Sequence, residues 1–131
     1  PYAFAMLDID HFKKINDTYG HDGGDKILKS LAKILTDNTK GRDVVARFGG
    51  EEFCVVLKKI AKEEAIKFFV NLRAKVAENE VIIKDKIVRV TVSIGISFGK
   101  GHCEIDDMLE ACDSALYVAK ENGRNRAEIA L

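Results

Sequence analysis

The stretch Val44-Val45-Ala46-Arg47-Phe48-Gly49-Gly50-Glu51-Glu52-Phe53-Cys54-Val55-Val56-Leu57 sets two short apolar runs around a glycine-bearing acidic turn. β-Branched and aromatic residues suit a pleated strand, and a Gly-Gly step between two such runs signals a hairpin. Residues 44–48 and 53–57 are therefore expected as paired strands, with Gly49-Gly50-Glu51-Glu52 between them.

Upstream of this hairpin, residues 2–7 form a continuous apolar run, fitting a strand buried on both faces. Asp10 is placed to cap a short helix with Phe12, Ile15 and Tyr19 on one side, closed by Gly20. A second helix is expected from about Asp22, with Ile27, Leu28, Leu31, Ile34 and Leu35 at helical spacing. Downstream, a helix over residues 63–78 buries Ala65, Ile66, Phe69, Val70 and Val76. Residues 81–83 read as a short strand, and Lys84-Asp85-Lys86 turns it into a long alternating one. There Val88, Val90, Val92, Ile94, Ile96 and Phe98 alternate with Arg89, Thr91, Ser93, Gly95 and Ser97. Asp106 is expected to cap a last helix, with Met108, Leu109, Cys112, Leu116 and Ala119 inward and its end at Asn122-Gly123. Residues 127–131 close an edge strand. Hairpins segregated among helices imply an α+β domain, a mixed central sheet flanked by helices.

The whole of residues 1–131 reads as one domain, 47% hydrophobic and 32% charged, with no repeat or linker. Lys+Arg and Asp+Glu balance at 21 each, so no net field favours nucleic acid or an anionic membrane surface. No apolar run reaches the roughly 20 residues a membrane helix needs. Cys54, Cys103 and Cys112 form no CxxC pair, and Cys54 and Cys112 sit in apolar patterns, as core thiols of a reducing cytoplasm would. Pro1 opens almost directly on a strand, the expectation for a piece of a longer protein.

Two acidic clusters fall at strand ends, Asp8-Ile9-Asp10 and Glu51-Glu52. If their strands are neighbours, Asp8 and Glu51 converge on one Mg²⁺, which takes one or two protein carboxylates plus substrate phosphates. The plainer alternative makes Asp10 a cap and the glutamates ornaments of a solvated turn. Gly49-Gly50 permits close approach of a ligand, as it also permits any tight hairpin. Asn16 and Asp25 can satisfy the edge of guanine, or serve only as a helix-end amide and a first-turn acid. Lys120 and Arg124 stand four apart at the end of the last helix, where they can grip phosphates or simply be solvated. His21 and His102 read as loop histidines, because no second ligand stands at metal spacing.

Taken together these motifs resemble the GGDEF family of diguanylate cyclases. The signature loop is Gly49-Gly50-Glu51-Glu52-Phe53, and the block from Asp8 through Phe12, Asn16, Gly20 and Asp22 to Gly24-Asp25 is similar to the family's first strand and helix. Val92-Ser93-Ile94-Gly95-Ile96 and Ala115-Leu116-Tyr117-Val118-Ala119-Lys120 with Gly123-Arg124-Asn125 resemble its late strand and closing helix. The resemblance implies a fold similar to the adenylyl cyclase catalytic domain and the polymerase palm. It implies condensation of two GTP into cyclic di-GMP by a homodimer, one GTP per protomer; the alternative is a silent GTP-binding regulatory module. It gives Asp8, the Ile9 carbonyl and Glu51 to Mg²⁺, with Mn²⁺ able to substitute. Asn16 and Asp25, with His21 nearby, read guanine. Lys13, Lys120, Arg124 and the backbone at His11 and Phe12 hold the triphosphate, and Glu52 is the proton acceptor.

The resemblance further implies a sensor or receiver domain upstream, a cytoplasmic setting that such a domain could tether to a membrane, and no nucleic-acid partner. Two departures stand out. The family's inhibitory product site, Arg-x-x-Asp, here reads Lys40-Gly41-Arg42-Asp43, so Lys40 and Asp43 form a degenerate version. The family's lead-in segment before the first strand, with Leu-Thr-Gly-Leu and Asn-Arg-Arg elements, is absent from these residues, a truncation expected to loosen the pocket's lid and the dimer.

Overall fold

A computed structural model describes residues 1–39, 41, 43–100 and 105–130. Five strands form the main sheet, in the order β2-β3-β1-β6-β7. They are β1 (Tyr2–Ile9), β2 (Val44–Arg47), β3 (Glu52–Lys58), β6 (Val92–Gly99) and β7 (Arg126–Ile129). All neighbours are antiparallel except β6 and β7, which run parallel around the connecting helix α3 (Ile105–Glu121). β4 (Val81–Ile83) and β5 (Lys86–Val88) make a separate two-stranded hairpin. The mixed sheet with helices on both faces is the α+β architecture read from the sequence.

β1 is central, which is why its apolar run is continuous. Ala3, Ala5, Leu7 and Ile9 join the large core with α1 (Phe12–Asn38) and α2 (Lys62–Glu78), while Phe4 and Met6 point to Cys112 and Leu116 of α3. The period-2 geometry of a strand thus feeds two helical layers from one sequence run. On β6, Ser93, Gly95 and Ser97 occupy the α3 side. A Cβ on Gly95 would stand 2.2 Å from the Cys112 carbonyl oxygen and 2.4 Å from the Leu116 nitrogen, so its absence lets α3 lie on the sheet. Ser97 Oγ donates to the Met108 carbonyl at 3.1 Å, which satisfies its buried hydroxyl.

Several sequence expectations are corrected. Asp10 does not cap α1. The cap position is His11, in left-handed backbone (φ 57°) with no side-chain cap bond, and the Asp10 carboxylate turns instead toward β6. Asp106 lies in the first turn of α3 rather than before it. Val70 is 47% exposed, because the buried face of α2 runs through Ala65, Phe69, Leu72 and Val76. The long alternating strand is also broken. Residues 86–88 pair with β4, residues 92–99 join the main sheet, and the Thr91 carbonyl between them accepts the Asp10 N–H at 2.9 Å. The break at Gly20 is as expected: its φ of 77° and ψ of 174° divide α1 into two helical segments.

Candidate active site

Pairing of β1 with β3 sets Asp8 opposite Glu52, and the Ile9 N–H donates to the Glu51 carbonyl at 3.3 Å. The two acidic clusters, 43 positions apart from Asp8 to Glu51, thereby become one strand-end site. A cleft of about 220 Å³ is lined by Asp8, Ile9, Asp10, His11, Phe12, Lys13, Glu51, Lys120 and Arg124. The fold thus gathers the anticipated metal-binding and triphosphate-binding residues. Larger cavities exist; one of about 530 Å³ lies between α3 and β7, lined by Glu110, Ser114, Val118 and Ile129 with no gathering of cations.

The cleft sets buried Asp8 and half-buried Glu51 and Lys120 beside exposed Lys13 and Arg124. Asp8 Oδ2 accepts from Lys120 Nζ, and its side chain is only 12% exposed. Burial pushes the Glu51 carboxyl above its ordinary pKa, and the neighbouring Asp8 charge adds to the rise, while Lys120 opposes it. Two carboxylates and a backbone carbonyl, repelling one another in a half-dry site, are a donor set suited to a small hard cation that keeps substrate or water ligands. Among the described residues no group of three or more His, Cys, Asp or Glu side chains gathers as a metal site, so such an ion would rely on non-side-chain oxygens for the rest of its shell.

The turn that presents Glu51 is held from both ends. The Phe48 and Gly49 N–H groups donate to the Glu52 carbonyl at 2.8 and 3.3 Å. Arg47 closes it from the strand side, with Nη2 donating to the Gly50 carbonyl at 2.7 Å and Nε reaching the Gly49 and Gly50 carbonyls at 3.3 and 3.2 Å. Arg47 was not singled out from the sequence, since a basic residue on an exposed strand carries no signal of its own. Glu52 is half-buried at the head of β3, beside Gly49 rather than in the cleft lining.

Asn16, His21 and Asp25 also lie outside that lining, along α1. Asn16 is half-buried and rests against the second helical segment, where a Cβ on Gly24 would fall 1.9 Å from its Oδ1. Asp25 follows directly and is exposed, as is His21. The fold thus places Asn16 beside the Gly24-Asp25 step without joining it to the strand-end cleft. Of the degenerate product site, Lys40 lies outside the described residues, as do Arg42, His102 and Cys103. Asp43 Oδ1 accepts the Lys58 N–H at 3.2 Å. Cys54 and Cys112 are buried free thiols, and burial pushes the Cys54 thiol up to about 11. Among the described residues no helix is long and apolar enough to cross a membrane.

The strand ends thus bring paired acids beside Lys13, Lys120 and Arg124, a set of groups that suits a metal ion and phosphates. Residues 1–126 match the family described as "Diguanylate cyclase, GGDEF domain", and the chain belongs to that family. It is 42% identical over 128 residues to diguanylate cyclase A of Treponema denticola, covering 97% of this chain and 34% of that protein. It is 35% identical over 130 residues to diguanylate cyclase DosC of Escherichia coli, covering 98% and 28%. The chain therefore spans about a third of the length of these curated relatives. Among solved structures, the GGDEF domain of DgcB from Caulobacter crescentus in complex with c-di-GMP superposes with a TM-score of 0.93 at 32% identity, over 98% of this chain and 77% of that one. The active GGEEF domain of a diguanylate cyclase from Vibrio cholerae gives 0.88 at 36% identity, over 99% and 83%. GGDEF diguanylate cyclases are generally metal-dependent.

Proposed function

We propose that this chain condenses two GTP molecules into cyclic di-GMP and pyrophosphate, each of two copies holding one GTP. The observation that carries the reading is the single cleft in which Asp8 and Glu51 meet Lys13, Lys120 and Arg124. Mg²⁺ fits the donor set of Asp8, Glu51 and the Ile9 carbonyl, with Mn²⁺ able to substitute. When bound, such an ion neutralises phosphate charge and polarises the phosphorus under attack.

The chain's own residues supply the remainder. Lys13, Lys120 and Arg124 bind the triphosphate and stabilise charge that builds on pyrophosphate as it leaves. Lys120 pairs with Asp8, which holds its ammonium at the cleft wall. Asn16 and Asp25 read the guanine edge, with His21 nearby, and the His11 and Phe12 backbone lies along the phosphates. Glu52, half-buried beside Gly49, accepts the proton of the attacking 3′-hydroxyl. The hydroxyl of one GTP attacks the α-phosphorus of the other, and a second round closes the ring. One copy offers one such half-site, so the reaction needs a homodimer with the two clefts face to face.

The chain is read as the output domain of a cytoplasmic signalling protein, governed by a sensor or receiver domain. Buried, unpaired thiols at Cys54 and Cys112 agree with a reducing compartment. Product analysis tests the activity. Incubation with GTP and Mg²⁺, resolved by chromatography, is expected to yield cyclic di-GMP from the unmodified chain and none from Asp8→Asn. GTP that is bound but returned unchanged by a dimeric sample would favour the silent regulatory module instead.

A further inference from the structure

Asp10 is 5% exposed and stands at the mouth of the cleft, yet it is no helix cap and the chemistry above gives it no part. Both of its carboxylate oxygens are occupied. Oδ1 accepts from Ser93 Oγ at 2.6 Å; Oδ2 accepts from Thr91 Oγ1 at 2.6 Å and from the backbone N–H of Asn125 at 3.0 Å. Its own N–H donates to the Thr91 carbonyl at 2.9 Å. One side chain therefore ties the end of β1 to the start of β6 and to the turn that follows α3.

That turn is an unusual piece of backbone. Arg124 and Asn125 both have left-handed φ, 63° and 48°, directly after Gly123 at 116°. Asn tolerates this region, but an arginine is seldom found there, and two consecutive side-chain-bearing residues persist in it only when their surroundings fix them. The fixing bonds are few. The Arg124 N–H donates to the Ala119 carbonyl at 2.9 Å, the Arg124 carbonyl accepts from Arg126 Nε at 3.2 Å, Arg73 Nη1 donates to Asn125 Oδ1 at 2.8 Å, and the Asn125 N–H reaches Asp10. Of these acceptors only Asp10 is charged. Its bond is of the strong, charge-assisted kind.

We infer that Asp10 is a positioning residue for triphosphate recognition: by fixing the left-handed Arg124–Asn125 turn, it aims the Arg124 guanidinium into the cleft. The inference rests on the reading of Arg124 as a phosphate ligand. It assigns Asp10 a task separate from Asp8, although the two stand two residues apart on one strand end. Asp8 faces the charged cleft and Lys120, whereas Asp10 faces hydroxyls and a backbone amide. Asparagine at position 10 would keep the shape but lose the charge: its oxygen can still face the Thr91 hydroxyl and the Asn125 N–H while Ser93 Oγ turns to accept from its NH₂, so the bond to Asn125 survives only as a neutral one.

The test compares GTP with guanosine, which lacks the phosphates Arg124 would hold. In calorimetry with Mg²⁺, Asp10→Asn is expected to weaken GTP about tenfold and leave guanosine unchanged, as for one charge-assisted bond reduced to a neutral one. Arg124→Ala should weaken GTP to a similar degree, and the double variant should lose little more than either single one. Amide exchange at Asn125 should quicken in Asp10→Asn with or without nucleotide. Ser93→Ala keeps the carboxylate and removes one of its donors. It should shift GTP affinity in the same direction by a smaller factor, which keeps the question answerable should Asp10→Asn fail to fold. Equal weakening of GTP and guanosine, or losses that multiply in the double variant, would overturn the positioning role. If Arg124→Ala itself leaves GTP binding intact, the phosphate reading falls and takes this inference with it. If Arg124→Ala weakens GTP while Asp10→Asn and Ser93→Ala do not, only the link through Asp10 is refuted.

Discussion

Asp8 and Glu51 share a partly buried cleft, where two like charges are costly unless a cation stands between or beside them. Lys120 meets part of that need through its pair with Asp8, yet the Glu51 carboxyl is still pushed above its ordinary range, first by burial and then by Asp8. An acid whose pKa is raised on folding costs stability once pH climbs through the carboxylate range, because the unfolded chain ionises more easily; below that range the cost is absent. Glu51→Gln is therefore expected to raise the melting temperature of the metal-free chain near neutral pH, and the gain should vanish at acid pH. Melting curves in chelator at several pH values check this. The same substitution, like Asp8→Asn, removes formal charge from the metal site and should lower cyclic di-GMP synthesis by about a hundredfold or more, with the fold retained by circular dichroism. Near-normal metal-dependent turnover by both variants would remove them from the metal site.

Among the elements, α1 carries Asn16 and Asp25, the residues proposed to read the base, on either side of the break at Gly20. Because a Cβ at Gly24 would fall 1.9 Å from Asn16 Oδ1, Gly24→Ala must turn the Asn16 amide or part the two segments. The unmodified chain is expected to prefer GTP to ATP by about tenfold, the worth of one mismatched hydrogen bond at the half-buried Asn16. Gly24→Ala should erode that preference more than it erodes phosphate-dependent binding, a split that paired GTP and ATP titrations would reveal. The elements were legible in the sequence where their signals were local. The hairpin over residues 44–57, the break at Gly20 and the inward face of α3 each follow from a pattern within a few turns of chain. The interruption of the strand near residues 89–91 was not, because residues 86–88 and 92–99 take different partners, β4 beside them and β1 some eighty residues earlier. The same distance hid the true work of Asp10, since an acid before a helix reads as a cap until its partners in β6 and after α3 are known. The convergence of Asp8 with Glu51 was conditional on strand adjacency, which the register of β1 with β3 supplies. The guanine-reading roles of Asn16 and Asp25 came chiefly from family likeness.

For the molecule as a whole, the proposed reaction turns on how two copies meet. Lysine at position 40 replaces the arginine fork of the inhibitory motif with a mobile point charge, so cyclic di-GMP is expected to inhibit this chain weakly. Lys40→Arg should tighten product binding by roughly one to two orders of magnitude, the effect of one regained charge-assisted bond, and inhibition curves for both forms check it. Tight, Asp43-dependent inhibition of the unmodified chain would contradict this. The central claim is that each copy carries only half of a condensation site, one GTP at the Asp8–Glu51 cleft. It is tested most directly by following cyclic di-GMP formation from GTP and Mg²⁺ across a dilution series of the chain. The rate per chain should rise with concentration until dimers predominate and then level off, with cyclic di-GMP and pyrophosphate as the end products. A rate per chain that stays constant down to concentrations where the protein is monomeric, or dimers that bind GTP and never convert it, would contradict the account.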